Sequence, residues 1–314
     1  MNSQIPHIFK SRILISPLNW GFGHVSRTIP IIQSFLEKGN EVFIACNAEQ
    51  KNIYEMYFLS TKVKFLSLEG YPFRFRGKGN FGLDLFFSIF PLFKHILKEH
   101  LLTEKWVKDY SIDFVISDHR YGVYSKNTAS IFLTHQYNLP TAPFSILANW
   151  AHHRLIHPFH KIWIADSEST NLAGILSSCP SEKAIYIGAL SRFNRRLENI
   201  EKTKNTLIIS GPAAYWEDLI LLFGLELSTG KIDSIIGPKN AQSLFNHFEA
   251  NYYTNEDWLL CDNILIETKK LFGFCGYSTI MDIAYLKCES KLVPCKGQYE
   301  QLYLYQLHYS HQNQ

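Results

Sequence analysis

The chain has 314 residues, 46% hydrophobic and 19% charged, with a formal net charge of +3. That balance describes a globular protein large enough for two domains and excludes a disordered chain. No block of like charge suggests a nucleic-acid partner.

Strands alternate with helices from the start. Arg12–Ser16 reads as a buried strand, followed by a loop from Pro17 to Gly23 and a helix to about Lys38, where Gly39-Asn40 is a stop signal. Glu41–Cys46, Val63–Leu68, Phe114–Ser117, Thr141–Ile146 and Ile162–Ala165 are the next predicted strands. A polar stretch from Arg192 to Lys204 reads as a linker. Thr206–Ser210, Ser234–Gly237, Leu271–Cys275 and Lys291–Pro294 then form a second series. Strands separated by helices imply parallel sheets. Ligands of such sheets bind beyond the carboxyl ends of the strands, so the loops after Ser16, Ser117, Ser210, Cys275 and Pro294 are the places to look.

The six cysteines include no CxxC pair. A chain of this size does not need disulfides, so reduced thiols in a cytosolic compartment are expected. The first residues lack a basic region followed by an apolar run, and no leader is expected.

In the first loop, Gly21-Phe22-Gly23-His24 allows a tight turn and puts a histidine at a helix start. His24 reads as a general base, a phosphate contact or an incidental residue of the turn. The dinucleotide fingerprint G-x-G-x-x-G fails, because Ser26 holds the third glycine position and no acid closes the second strand. Asp118 ends a strand on the same sheet edge. It suits a carboxylate that orients His24, or a plain loop aspartate.

In the second half, Cys275-Gly276-Tyr277-Ser278-Thr279-Ile280-Met281-Asp282 reads as strand end, turn and helix start. Thr279 and Asp282 have capping-box spacing. Backbone amides near Ser278 would suit a diphosphate, and Asp282 the hydroxyls of a ribose. Gln298, Glu300 and Gln301 in the next loop suit sugar hydroxyls. No Walker A sequence, G-x-S-x-G elbow or Asp-x-Asp pair occurs. His152, His153, His157 and His160 cluster, either as a metal site or as solvated histidines. Gly82–Phe93 is dense in phenylalanine and follows Arg74, Arg76 and Lys78. It reads as a core helix or as an element that enters a membrane interface, with Phe86 and Phe87 as its contacts.

Gly21–His24, Gly276–Asp282 and Gly297-Gln298-Tyr299-Glu300-Gln301, in this order and spacing, resemble the GT-B glycosyltransferases. The nearest likeness is to MurG-like enzymes that use UDP-N-acetylhexosamines. The resemblance implies an α/β fold of two Rossmann-like domains facing across a cleft, here residues 1–190 on the acceptor side and 191–314 on the nucleotide-sugar side. It implies His24 as base with Asp118 as its partner. It assigns the donor to Gly23, Ser210, Gly211, Gly276, Tyr277, Ser278, Thr279, Asp282, Gln298, Glu300 and Gln301, and the acceptor side to Asn19, Gly21 and Phe22. The implied reaction is inverting transfer of a hexosyl group from a UDP-sugar to an acceptor hydroxyl, with no metal and no further cofactor. A UDP-sugar 2-epimerase and a non-catalytic nucleotide-sugar-binding protein are the alternatives. The acceptor is open, a lipid-linked one included, and the expected place is the cytoplasm, with a peripheral position at the inner face of the membrane as the alternative.

Overall fold

The structure is a computed structural model and describes residues 4–59, 62–72, 81–141, 145–193 and 200–310. The chain divides into two compact units, the first ending at Arg192 and the second beginning at Phe193 for the main run of chain. Each is a parallel sheet with helical crossovers.

In the first unit the elements run β1 (Arg12–Pro17), α1 (Gly23–Glu37), β2 (Glu41–Cys46), α2 (Ala48–Phe58), β3 (Val63–Ser67), α3 (Phe81–Tyr110), β4 (Phe114–Asp118), β5 (Ala129–Thr134), α4 (Ser145–Ile156), β6 (Lys161–Ile164) and β7 (Ala184–Tyr186). The sheet order is β3-β2-β1-β4-β5-β6-β7, with every pair parallel. Ile13, Leu14 and Ile15 of β1 are fully buried. Such a continuous apolar run is what a central parallel strand, covered on both faces, requires. Gly39 adopts a left-handed φ of 75° just beyond α1, as the stop signal predicts.

The second unit runs β8 (Lys204–Ile208), α5 (Trp216–Ser228), β9 (Ser234–Gly237), α6 (Gln242–Phe245), β10 (Asn251–Thr254), α7 (Trp258–Ile266), β11 (Thr268–Phe274), α8 (Tyr277–Leu286), β12 (Glu289–Val293) and α9 (Tyr299–Tyr309). Its order is β10-β9-β8-β11-β12, again all parallel. Leu207, Leu219, Phe223, Ile235 and Phe272 form the centre of its core.

One predicted strand is wrong. Ser145 and Ile146 lie in α4, and the strand that follows β4 is Ala129–Thr134. Pro140 precedes the mistaken segment and Pro143 lies within its sequence, and proline removes the donor a sheet ladder needs. β7 and β10, two short edge strands, add to the predicted set. The side chains of Phe86 and Phe87, and residues Arg74, Arg76 and Lys78, lie outside the described residues. Among the described residues, no helix is long and apolar enough to cross a membrane.

Candidate active site

Both sheets reverse their direction of growth beside their first strand. In the first unit this switch point lies between β1 and β4, where Pro17 pairs with Asp118. A crevice opens at the carboxyl ends of two such strands because their crossovers leave in opposite directions. The chain leaves β1 through Gly21, whose φ of 108° is open to glycine alone at little strain, and enters α1 at Gly23. His24 is therefore the second residue of α1. Phe22 sits at the helix cap in a helical conformation, with no side-chain cap bond. Asn19 accepts a bond from the Tyr71 amide at 2.9 Å, so its side chain fastens the segment after β3.

The carboxyl end of β4 delivers Asp118, which is fully buried. His24 Nδ1 lies 2.9 Å from Asp118 Oδ2. Arg27, one turn further along α1, donates from Nε to both Asp118 oxygens, at 3.0 and 2.9 Å, and from Nη2 to Oδ1. Burial alone would push the Asp118 carboxyl up. The charge of Arg27 and, after it, the neighbouring His24 outweigh it and hold the group below its ordinary value. For His24, burial and then the neighbouring Arg27 charge lower the pKa against the opposing pull of Asp118. The imidazole is thus kept neutral, which is the state a base needs.

Further histidines line the same end of the sheet. His119 follows Asp118 with a φ of 59°, a left-handed conformation that costs an L-residue ~1–2 kcal/mol. Its ring meets His24 edge-on at 5.8 Å. His135, just past β5, accepts from Arg27 Nη1 at 2.7 Å. His152 of α4 accepts from the Tyr121 hydroxyl at Nδ1 and donates from Nε2 to the Gln136 carbonyl. Burial, with His153 beside it, pushes His152 down to about 3. The side chains of His152, His153, His157 and His160 do not converge as a metal-ligating group. His153 donates to the Tyr137 carbonyl, and no group of three or more metal-ligating side chains converges among the described residues.

The loops around this end are tied by a second buried ion pair. Arg120 donates from Nε to Glu99 Oε1 at 2.8 Å and from Nη2 to the Glu69 carbonyl at 2.5 Å. Glu99 also accepts from the Tyr71 hydroxyl at 2.7 Å. Tyr71 in turn accepts from the Tyr121 amide. Arg27, His119, His135 and the Glu99–Arg120 pair escape the sequence reading. Only their burial in the fold reveals them.

In the second unit the switch point lies between β8 and β11. Beyond β8 come Ser210 and Gly211, the latter with a φ of 74°. Beyond β11, Gly276 caps α8 in an extended conformation without a side-chain bond. The predicted capping box does not form, because α8 starts at Tyr277 and so Thr279 and Asp282 are both interior to it. Tyr277, Ser278 and Thr279 form the first turn, whose amides have no acceptors within the helix. An anion is favoured at such an end. Gln298 caps α9 and Glu300 lies in its first turn. Gln301 is turned inward. Its Oε1 accepts from the Cys295 amide at 3.0 Å and its Nε2 donates to Gln298 Oε1 at 2.6 Å. These bonds close the loop after β12.

Two doubly wound parallel sheets, one with a histidine–carboxylate pair at its switch point, define a protein of two Rossmann-like units. No protein-family model matches the chain, and no curated protein matches it. Solved structures do, and they are GT-B glycosyltransferases. The glycotransferase of kitacinnamycin aligns with a TM-score of 0.63 at 10% identity, over 94% of this chain and 83% of its own. The spinosyn rhamnosyltransferase SpnG gives 0.60 at 13% identity, over 93% and 83%. SpnG has also been solved with thymidine diphosphate and with spinosyn aglycone. MurG of Acinetobacter baumannii gives 0.50 at 14% identity, over 94% and 83%. The likeness is one of fold: the chain has the GT-B fold, and MurG is one neighbour among several.

Proposed function

We propose that this chain is a glycosyltransferase that moves a hexosyl group from a UDP-sugar to an acceptor hydroxyl, with inversion and without a metal. The observation that carries the reading is the neutral His24 held against the ionised Asp118 at the switch point of the first sheet. In this reading His24 Nε2 takes the acceptor proton, and the freed oxygen forms a bond to the anomeric carbon. The bond to the UDP oxygen breaks on the opposite face, and the electron pair leaves with the diphosphate. Asp118 stabilises the imidazolium that results. The second unit holds the donor. The first turn of α8 meets the diphosphate charge, as a helix start does for phosphates, with Ser210 and Gly211 at the neighbouring strand end. SpnG, solved with a nucleoside diphosphate and with an aglycone, has the two ligand classes that this reading requires here.

The test is donor binding followed by turnover. Thermal stability is measured with UDP-, GDP-, dTDP- and CMP-sugars in the presence of a metal chelator. Selective stabilisation by a UDP-sugar, then transfer to a hydroxyl acceptor with inverted anomeric configuration, is the expected result. Failure of all four donors to bind would overturn the reading.

A second observation bears on the acceptor. On α3, Phe93, Leu97 and Leu101 are 55%, 51% and 71% exposed at helical spacing, beside the exposed Lys94 and beside Lys98, which is paired with Glu69 at 2.7 Å. An apolar stripe with a cationic flank suits an anionic membrane surface. The reading therefore extends to peripheral attachment at the inner face of the membrane and a lipid-linked acceptor. The protein should sediment with anionic vesicles and not with neutral ones, and Leu97→Glu should weaken this. Absence of sedimentation with either would remove the extension.

A further inference from the structure

Arg27 lies on α1 one turn beyond His24 and is 1% exposed. Its guanidinium makes three kinds of contact. Nε and Nη2 hold Asp118, Nη1 donates to His135 Nδ1 at 2.7 Å, and Nη2 lies 2.7 Å from His24 Nδ1. A guanidinium donates and never accepts. His24 Nδ1 is thus approached by a donor from Arg27 and by an acceptor from Asp118, 2.9 Å away. A neutral ring nitrogen satisfies one of them at a time. If Nδ1 donates to Asp118, Nε2 carries a lone pair. If Nδ1 accepts from Arg27, Nε2 carries the proton.

We propose that Arg27 is a positioning residue that sets the resting tautomer of His24, donating to Nδ1 and so placing the ring proton on Nε2. The geometry favours this arrangement. Nη2 carries two protons, one directed at Asp118 Oδ1 and the other at His24, and the contact with His24 is the shorter of the two that Nδ1 makes. The bonds from Arg27 to both Asp118 oxygens offset the loss of the His24 bond to that carboxylate in this tautomer. The base-competent form is reached when Nη2 turns wholly onto Asp118 and the proton exchanges through solvent from Nε2 to Nδ1, with no change of net charge. The groups facing His24 are Arg27 on its own helix, Asp118 and His119 at the end of β4, and His135 beyond β5. The importance of the tautomer rests on the transferase reading; its existence does not.

Nitrogen-15 NMR of histidine-labelled protein tests the assignment without any sugar. The His24 signals are identified by their loss in His24→Asn. The wild type should show a neutral ring protonated at Nε2 at pH 7. In Arg27→Lys the ammonium is a single point charge that stays on Asp118, so the proton should move to Nδ1 and the titration midpoint of His24 should rise. His152 is the internal reference. Its bonds to Tyr121 and Gln136 fix it protonated at Nε2, and a change there would report a disturbed fold. A His24 ring protonated at Nδ1 in the wild type overturns the proposal on its own. So does an unchanged Nε2–H ring in a folded Arg27→Lys. Donor binding is measured separately, so loss of the transferase reading would leave this outcome intact.

Discussion

Asp118 and Arg27 bring opposite charges together where the Asp118 side chain is 0% and the Arg27 side chain 2% exposed, beneath a His24 side chain that is 15% exposed. The pair is thus dry while the imidazole keeps a path to solvent. A buried ion pair is a poor source of stability, since desolvating both charges offsets most of their attraction. Its position beneath a ring that reaches solvent is better explained by chemistry at that ring.

His24→Ala should lower transfer by ~10²–10⁴-fold, the usual worth of a general base, while donor affinity stays within about twofold. Turnover and calorimetric donor binding on the same preparation check this. Unchanged turnover would remove His24 from the mechanism. Asp118→Ala should behave differently, because it strands the Arg27 charge in the interior. It should cost ~3–5 kcal/mol of folding stability in denaturant titration as well as activity.

The histidines predict how stability depends on pH. His24 and His119 are held below their ordinary value of 6.5, and His152 is pushed to about 3. The folded state therefore binds fewer protons than the unfolded state below pH 6.5. Stability should be level above that pH and fall as pH drops toward the folded-state values, by up to ~1.4 kcal/mol per pH unit for each histidine. Asp118 acts in a lower window. Its carboxyl is depressed, so its contribution is present above its ordinary 3.8 and is lost on further acidification. Denaturant midpoints between pH 4 and 7 test this, with His152→Phe expected to flatten the slope. A flat profile in the wild type would show that these rings are not buried as neutral groups.

Much of this architecture is legible in the sequence, for identifiable reasons. β1 and β2 each contain an apolar run, Ile13–Ile15 and Val42–Cys46, and Gly39 and Gly21 mark turns that only glycine makes easily. The partnership of His24 with Asp118 follows from two strand ends on one sheet edge. The site's inner layer is not legible. Arg27 reads as a polar residue of an amphipathic helix, and its burial is set by Asp118, 91 positions away. His135 is hidden because β5 lies in a stretch whose prolines and polar residues mask it. Gln298, Glu300 and Gln301 are equivalent in sequence, and only the fold shows Gln301 turned inward to close its loop.

The Glu99–Arg120 pair supplies a prediction about stability that is independent of activity. Both side chains are buried, and their network reaches Tyr71, Tyr121 and the Glu69 carbonyl. Glu99→Leu alone and Arg120→Met alone should each cost ~3–5 kcal/mol, since each leaves an unpaired charge in the interior. The double variant should recover much of that loss. A double-mutant cycle from urea unfolding measures the coupling. Additive losses would mean that the pair is not coupled and that each residue acts through its other contacts.

Ser278→Asp separates stability from donor binding in the second unit. Ser278 lies in the first turn of α8, whose cap residue Gly276 supplies no side-chain bond and which contains no acidic residue. A carboxylate placed there interacts favourably with the helix dipole, so the variant should gain ~0.3–1 kcal/mol of stability or at worst lose none. A diphosphate drawn to the same amides would meet that carboxylate as a like charge. UDP-sugar affinity should therefore fall at least about tenfold, which is ~1.4 kcal/mol. Ser278→Ala, which adds no charge, should leave affinity within about threefold. Melting curves and calorimetric titration of the three proteins decide the matter. Equal affinity for wild type and Ser278→Asp would place the diphosphate away from α8, whereas a parallel loss of stability and affinity would point to a damaged helix.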